Sequence, residues 1–323
     1  MSNYGLSFLS TIREECMAST TDNPDPMQFV NAGYLFLAGT QNGSDCLQKN
    51  HATQQDVGVL GSILLKGGLF SSTNNNNAIE TSTDLSSSFP YLNSTDIQLG
   101  QYSRGAGDGY FDPYGYMQYL KQKLTSAGVQ FLKGEVVGGK LDAQQSISEI
   151  HVNCGNDNNK SVFYSFEKVV LCAGSSSGKV LDSFTPCSSS FHSPVQQIPV
   201  IGRRRVIHSF TCSDPTLKTI IESDKSNTVP HPLTVDPSGL WYRSEGRDHK
   251  TKGCGDKFLT GMSPTESDDD DDYCTMNLMD DRDRIDKCLE INQADTDKFN
   301  EVIWPILYNR VEAFGQLKHT GSW

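Results

Sequence analysis

Three places in this 323-residue chain carry residues whose types and spacing could do chemistry. Lys168 to Gly174, KVVLCAG, is a short apolar run ending in Ala173-Gly174. Glycine has no side chain and tolerates positive φ, so a strand entering such a turn can bring backbone close to a ligand. A buried strand closed by an ordinary glycine turn has the same spelling. Gly134 to Val137, GEVV, could offer a backbone amide and carbonyl to an adenine ring, or could end a strand in the core. Trp241, Tyr242 and Arg243 alternate along a third segment, and Arg243 suits a bidentate grip on a carboxylate. A solvated surface is the other reading of Arg243, and of the cluster Arg203, Arg204 and Arg205.

Other chemistries find no support. The His residues (51, 151, 192, 208, 231, 249 and 319) show no H-E-x-x-H pairing, and none of Ser175 to Ser177 sits in a G-x-S-x-G elbow. An odd set of cysteines without C-x-x-C spacing points to a reducing compartment rather than a disulfide framework, and no Cys or His cluster offers to ligate a metal. From Asp268, the Gly and Glu that an EF-hand loop requires are Tyr273 and Met279, so the acidic run reads as a solvated loop. A net charge of −12 argues against non-specific nucleic-acid binding, which needs a clustered basic face. No apolar run reaches the roughly 18 residues of a bilayer span. The opening MSNYGLSFLSTIREEC matches neither a secretory signal nor an Arg-rich transit peptide, so any organelle address is expected outside this chain.

The elements that must position these residues follow from periodicity. Leu6, Phe8, Leu9, Ile12 and Met17 predict an amphipathic helix over 5–18. Gly33 to Ala38 reads as a buried strand, Gly39 to Gly43 as the turn after it, and 47–61 as a helix. Ser71 to Ser88 is too polar to bury anything and reads as a disordered insertion. Asp112-Pro113 caps and opens a helix whose apolar face is Tyr116, Met117, Leu120, Leu124 and Ala127, and Gly128 stops it. Val129 to Leu132 follows as a strand, and Ile147 to Val152 pairs with Ser161 to Phe166 around an Asn/Asp-rich turn at 155–159. Val169, Val170 and Leu171 read as a strand buried on both faces. Further strands are expected at 198–207, 233–235, 240–243 and 258–262. An acidic tract at 266–286 precedes a helix over Asp297 to Val311 that Trp304-Pro305 bends. The order is mixed α and β, with a parallel-sheet region at about 104–180 flanked by mostly antiparallel structure.

Taken together, several of these segments resemble the D-amino-acid-oxidase-like family of FAD oxidoreductases. They are Gly33-Tyr34-Leu35, Gly109 to Pro113 (GYFDP), Gly134-Glu135-Val136, the Ala173-Gly174 turn, Asp236 to Gly246 (DPSGLWYRSEG), Gly261 to Glu266 (GMSPTE), Val302 to Pro305 and Ala313-Phe314. The likeness runs over most of the chain, and DPSGLWYRSEG is its most specific block. It implies an α/β (mixed α+β) fold: an incomplete FAD-binding Rossmann-like domain interwoven with an antiparallel-sheet substrate domain. Residues 1–103 would belong to both, 104–185 to the FAD-binding sheet, 190–312 to the substrate domain, and 313–323 to a truncated return.

FAD is the implied cofactor, with Val136 at its adenine and Ala173 and Gly174 beside it. Tyr242, Arg243 and Arg205 become substrate-positioning candidates, and no metal is implied. Family members oxidise an amine or amino acid by moving hydride from carbon to flavin. The likeness extends to a mitochondrial protein associated with assembly of respiratory complex I, which implies that location and complex I assembly intermediates as partners. A small-amine oxidase and a catalytically silent binding platform are both compatible with it. The sequence departs from the family pattern in lacking the G-x-G-x-x-G strand-turn-helix, in stopping short of the family's C-terminal glycine-rich segment, and in placing Ser175, Ser176 and Ser177 after Gly174. Without a helix N-terminus for the pyrophosphate, this chain alone is expected to bind FAD poorly.

Overall fold

The computed structural model describes residues 3–19, 27–59, 61–69, 83–103, 108–142, 146–154, 161–184, 204–217, 231–245, 256–263 and 290–323. They divide into two compact units, Met1–Leu120 with Arg205–Pro264 and Glu290–Trp323, and Lys121–Arg204 with Thr265–Leu289. In chain order the first half contains α1 (Asn3–Ser19), β1 (Tyr34–Ala38), α2 (Gln41–Asp56), β2 (Ile63–Lys66), α3 (Leu85–Ser88), β3 (Leu99–Tyr102), α4 (Pro113–Ser126), β4 (Glu135–Leu141), β5 (Ile147–Asn153) and β6 (Ser161–Ser165). It continues with α5 (Ser177–Asp182), β7 (Ile207–Thr211), β8 (Leu233–Val235), β9 (Leu240–Ser244), β10 (Lys257–Met262), α6 (Gln293–Lys298), α7 (Trp304–Arg310) and β11 (Lys318–Ser322).

The first unit is built on an eight-stranded mixed sheet in the order β11-β7-β10-β9-β8-β1-β3-β2. Only β1 and β8 run parallel, and every other pair is antiparallel. Strand alternation sorts the side chains. Leu35, Leu37, Phe210, Leu240, Tyr242 and Phe258 all point to one face, where they are buried with Phe299, Ile303, Leu307 and Phe314 from the C-terminal helices. Burying each such side chain is worth about 1.5–3 kcal/mol, so this face dominates the unit's stability. Phe210, Phe258 and Phe314 pack with ring centroids 5.1–5.3 Å apart.

Between α6 and α7 the helix passes through a π turn at Phe299–Ile303, where the Trp304 amide reaches back to the Phe299 carbonyl. Pro305 has no N–H to give the carbonyl one turn back, so the ladder loosens there rather than bending sharply. The structure also moves the start of α2. Gly39 to Gly43 is not a turn before a later helix: Thr40 caps the helix and accepts from the Gly43 amide at 3.2 Å. Leu85 corrects the reading of 71–88 as wholly unburied, since its side chain is fully buried in the main core. Residues 71–82 lie outside the described residues, as do 155–159, 198–203 and the acidic tract 266–286.

One buried cation ties this unit together. Arg310, at the end of α7, donates from Nε to Asp236 Oδ2 (2.7 Å) and from Nη1 and Nη2 to Asp96 (2.7 and 3.0 Å). Nη1 also bonds the Asn93 carbonyl, and the Asn93 amide returns a bond to the Arg310 carbonyl at 2.8 Å. Burial opposes the charge, and the two carboxylates more than offset it, leaving Arg310 above its ordinary pKa. Asp96 is held below the usual carboxylate range by its bonds to Arg310. Asp236 accepts in turn from the Ser238 amide at 2.9 Å and so fixes the turn that feeds β9.

The second unit holds the three-stranded antiparallel sheet β4-β5-β6. This confirms the hairpin over 147–166, but the parallel region expected at 104–180 is not formed by the described residues. Val129–Leu132 and Val169–Leu171 are not strands. A parallel strand needs a neighbour's ladder to satisfy its backbone, and among the described residues nothing pairs with either segment. Their side chains stand out accordingly, Phe131 being 51% and Val170 83% exposed. The helix expected from Asp112 to Gly128 is present as α4, with Asp112 accepting from the Tyr114 amide at 2.9 Å, but none of its residues is fully buried.

Two outcomes follow for stability. Arg310→Met leaves Asp236 buried without a counter-charge and should lower the unfolding free energy by about 3–5 kcal/mol in urea denaturation, with Arg310→Lys recovering only part. His231 is buried between Tyr91 and Phe258, and burial lowers its pKa from 6.5 to about 4. The unfolded chain therefore takes up this proton first as pH falls. The stabilisation is fully present above pH 6.5 and is lost towards pH 4, by roughly 2–3 kcal/mol for this residue. His231→Phe should lose correspondingly less stability between pH 7 and pH 4.5 than the unaltered chain.

Candidate functional site

The face of the eight-stranded sheet opposite the core is only partly covered. Register places Tyr34 and Phe36 of β1 beside Leu233 and Val235 of β8, and Val235 beside Trp241 of β9. Arg243 follows Trp241 on the same face, opposite Leu259, while Trp241 lies opposite Gly261 of β10. A Cβ at Gly261 would stand 2.8 Å from the Trp241 ring, so glycine is what lets the indole lie flat on the sheet. Tyr34 and Phe36 stack with centroids 6.1 Å apart.

A loop brings two more groups to this face. Val30 and Tyr110 exchange backbone bonds of 2.8 and 3.0 Å, and the Gly33 amide bonds the Asp108 carbonyl at 2.8 Å. Tyr110 thereby lies under the Arg243 guanidinium, 4.0 Å from ring centroid to Cζ, a cation–π contact. Ser103 Oγ donates to Asp108 Oδ2 at 2.7 Å and accepts from the Tyr34 amide at 3.3 Å. Burial raises the Tyr34 phenol, Asp108 raises it further, and Arg243 opposes both. Arg243 Nη1 donates to the Ser244 carbonyl at 2.9 Å and stands 2.7 Å from Glu245 Oε2. A guanidinium 15% exposed and stacked over the Tyr110 ring is a group that can hold an anion in a fork.

The sequence candidates separate here. Tyr242 and Arg243 are neighbours on one strand and so face opposite ways: Arg243 is on the half-open face, whereas Tyr242 is fully buried in the core against Phe314, 5.5 Å between centroids. Burial pushes the Tyr242 phenol well above its ordinary range. Thr234, its register partner, lowers it slightly, yet the Tyr242 hydroxyl has no partner at hydrogen-bonding geometry. The two residues cannot line one pocket. Arg205 is exposed and precedes β7 by two residues, and Arg203 lies outside the described residues.

Tyr34, Asp108, Tyr110 and Glu245 were not singled out from the sequence. Period-two alternation of Tyr34 with Phe36 was the available signal for the first. Tyr110 and Glu245 lie in the GYFDP and DPSGLWYRSEG blocks that carry the family likeness, but neither block assigns them to Arg243, and Asp108 lies just outside the first.

Val136, Ala173 and Gly174 belong to the second unit. Val136 is on β4, an edge strand, opposite Val152, with a bulge immediately after it. Gly174 has φ of +56° and open space where a side chain would be, so the turn does take the conformation that glycine permits. The apolar run leading into it is exposed rather than buried. Gly174 opens a 3-10 turn, Gly174–Ser176, that runs directly into α5.

Residues 9–286 match the model of the family described as DAO, FAD dependent oxidoreductase. The chain is 27% identical over 340 residues to FAD-dependent oxidoreductase domain-containing protein 1 of Bos taurus, covering 100% of this chain and 58% of that protein. Its Xenopus laevis counterpart is 26% identical, with 100% and 56% covered. The chain thus spans a little over half the length of these relatives. Among solved structures, L-proline dehydrogenase from P. horikoshii superposes with a TM-score of 0.62 at 13% identity, over 99% of this chain and 64% of that one. Glycine oxidase from Geobacillus kaustophilus gives 0.58 at 14%, over 98% and 64%. These likenesses establish the mixed α/β fold of FAD-dependent oxidoreductases.

Since the Tyr242 hydroxyl is buried without a partner, Tyr242→Phe should change the unfolding free energy by no more than about 1 kcal/mol. It should leave any ligand titration at Arg243 unaltered. A Tyr242→Phe chain that folds normally but no longer responds to ligand would place Tyr242 at the site after all.

Proposed function

The chain belongs to the DAO family of FAD dependent oxidoreductases, and on that premise we propose that its eight-stranded sheet is the substrate-side cover of an amine- or amino-acid-oxidising flavoprotein. The observation that carries this reading is the Arg243 guanidinium, stacked over Tyr110 on the half-open face that it shares with Tyr34, Phe36 and Trp241. Water-poor surroundings strengthen a charge-assisted bond to a substrate carboxylate, and the aromatic rings fix the plane of the fork. Two structural neighbours are named for amino-acid substrates, L-proline and glycine, which fits a carboxylate-bearing ligand. FAD, when bound, accepts hydride from the substrate carbon. The work of this chain's residues is to bind, orient and exclude water: Arg243 takes the carboxylate, Tyr110 supports the guanidinium from beneath, and Trp241 with Phe36 covers the apolar remainder. In the second unit, Val136, Ala173 and Gly174 are the positions that would approach the cofactor.

A second reading keeps the fold but not the chemistry: a mitochondrial platform that acts in assembly of respiratory complex I. It rests on the sequence resemblance, and the exposed apolar side chains of Phe131 and Val170 favour it, since such surface is usually covered by another polypeptide.

Anaerobic addition of small amines and amino acids to flavin-containing protein separates the two. Bleaching of the flavin absorbance supports the oxidase, whereas a spectrum unchanged by every amine supports the silent platform. Purified by itself, this chain is expected to carry substoichiometric flavin. A full complement would overturn that expectation and put the pyrophosphate cradle within these residues.

A further inference from the structure

Glu245 stands just beyond the end of β9, with its amide bonded to the Lys257 carbonyl at 2.8 Å, so its backbone is fixed by the sheet. Its side chain is 42% exposed and places Oε2 2.7 Å from Arg243 Nη1. That distance belongs to an ion pair, yet Oε2 is buried and makes no hydrogen bond of acceptable direction. Nη1 aims instead at the Ser244 carbonyl. The carboxylate therefore meets the guanidinium through Nη1 alone and off line among the described residues.

An incoming carboxylate can do better. A part-exposed ion pair of indifferent geometry contributes little, whereas a carboxylate that fills the guanidinium fork makes two parallel charge-assisted bonds. Removing Glu245 from Arg243 needs only rotation of its side chain towards solvent. The guanidinium need not move, because Tyr110 holds it from below.

We propose that Glu245 is a built-in competitor for the Arg243 anion site, occupying it in the free chain and swinging out when a substrate carboxylate enters. Glu245 thus sets how strongly the site selects for ligands able to fill the guanidinium fork. Weakly basic or monodentate anions fail to displace it. This rests on the reading of Arg243 as the carboxylate holder, and the test keeps the two apart.

The probe is propionate, titrated against the full chain by saturation-transfer NMR, in the unaltered protein, Glu245→Gln and Arg243→Met. The amide of Glu245→Gln keeps the shape and removes the charge. Propionate should bind about two- to fivefold more tightly to Glu245→Gln, the range that loss of a surface-type ion pair implies, and binding should be lost in Arg243→Met. If Arg243→Met loses binding but Glu245→Gln binds no more tightly, Glu245 is no competitor, while Arg243 keeps its role. If Arg243→Met binds as the unaltered chain does, or if no variant binds, the carboxylate site itself falls and the competitor with it.

Discussion

A guanidinium removed from water imposes the strongest constraint in this protein. Arg310 can stay charged in the interior only if every side of it meets an acceptor, and the chain supplies Asp96, Asp236 and the Asn93 carbonyl from widely separated positions. Because such a network is favourable only when complete, it specifies the mutual placement of α7, the segment before β3 and the turn before β9. Asp236 is the hinge of this arrangement. The same carboxylate that meets Arg310 also shapes the turn that delivers Leu240 to Ser244 into the sheet. The specific block DPSGLWYRSEG is therefore partly a structural lock: its Asp holds the frame, and its Arg faces the half-open side.

That frame explains why the two faces of one sheet differ so much. One is sealed by the C-terminal helices and packs with ring contacts throughout. On the other, α2 packs over β1, β3 and β2, with Gln101 bonded to Gln54 at 2.8 Å, while a loop carries Tyr110 beneath Arg243 of β9. A charge is tolerable there because Tyr110 and Glu245 attend to it. The chemistry of the site thus depends on strand register: shifting β9 by one residue would exchange Tyr242 for Arg243 and bury the charge in the core.

The second unit shows the reverse situation. Its meander β4-β5-β6 satisfies itself by antiparallel pairing, which needs only short turns. The apolar run at 169–171 is spelled for a strand buried on both sides, and exposed apolar surface of that kind is held at a cost in free energy.

What the sequence determined by itself was whatever is local. Asp112 with Pro113 fixed where α4 begins, alternation fixed β1, β9 and β10, the pairing of β5 with β6 followed from their own pattern, and the blocks around Gly109 and Asp236 carried the family. Tertiary structure alone decided the rest, because it depends on partners distant along the chain. Leu85 is buried through the core of the eight-stranded sheet, and Val170 is exposed where no strand among the described residues lies beside it. Tyr242 and Arg243 read as one pair until the sheet turned them to opposite faces. Tyr110 and Glu245 sit in blocks that carry the family, and Asp108 just before one of them, yet nothing in those blocks ties the three to Arg243. Their meaning is a matter of distance to Arg243, and distance is set by strand register and loop closure rather than by composition.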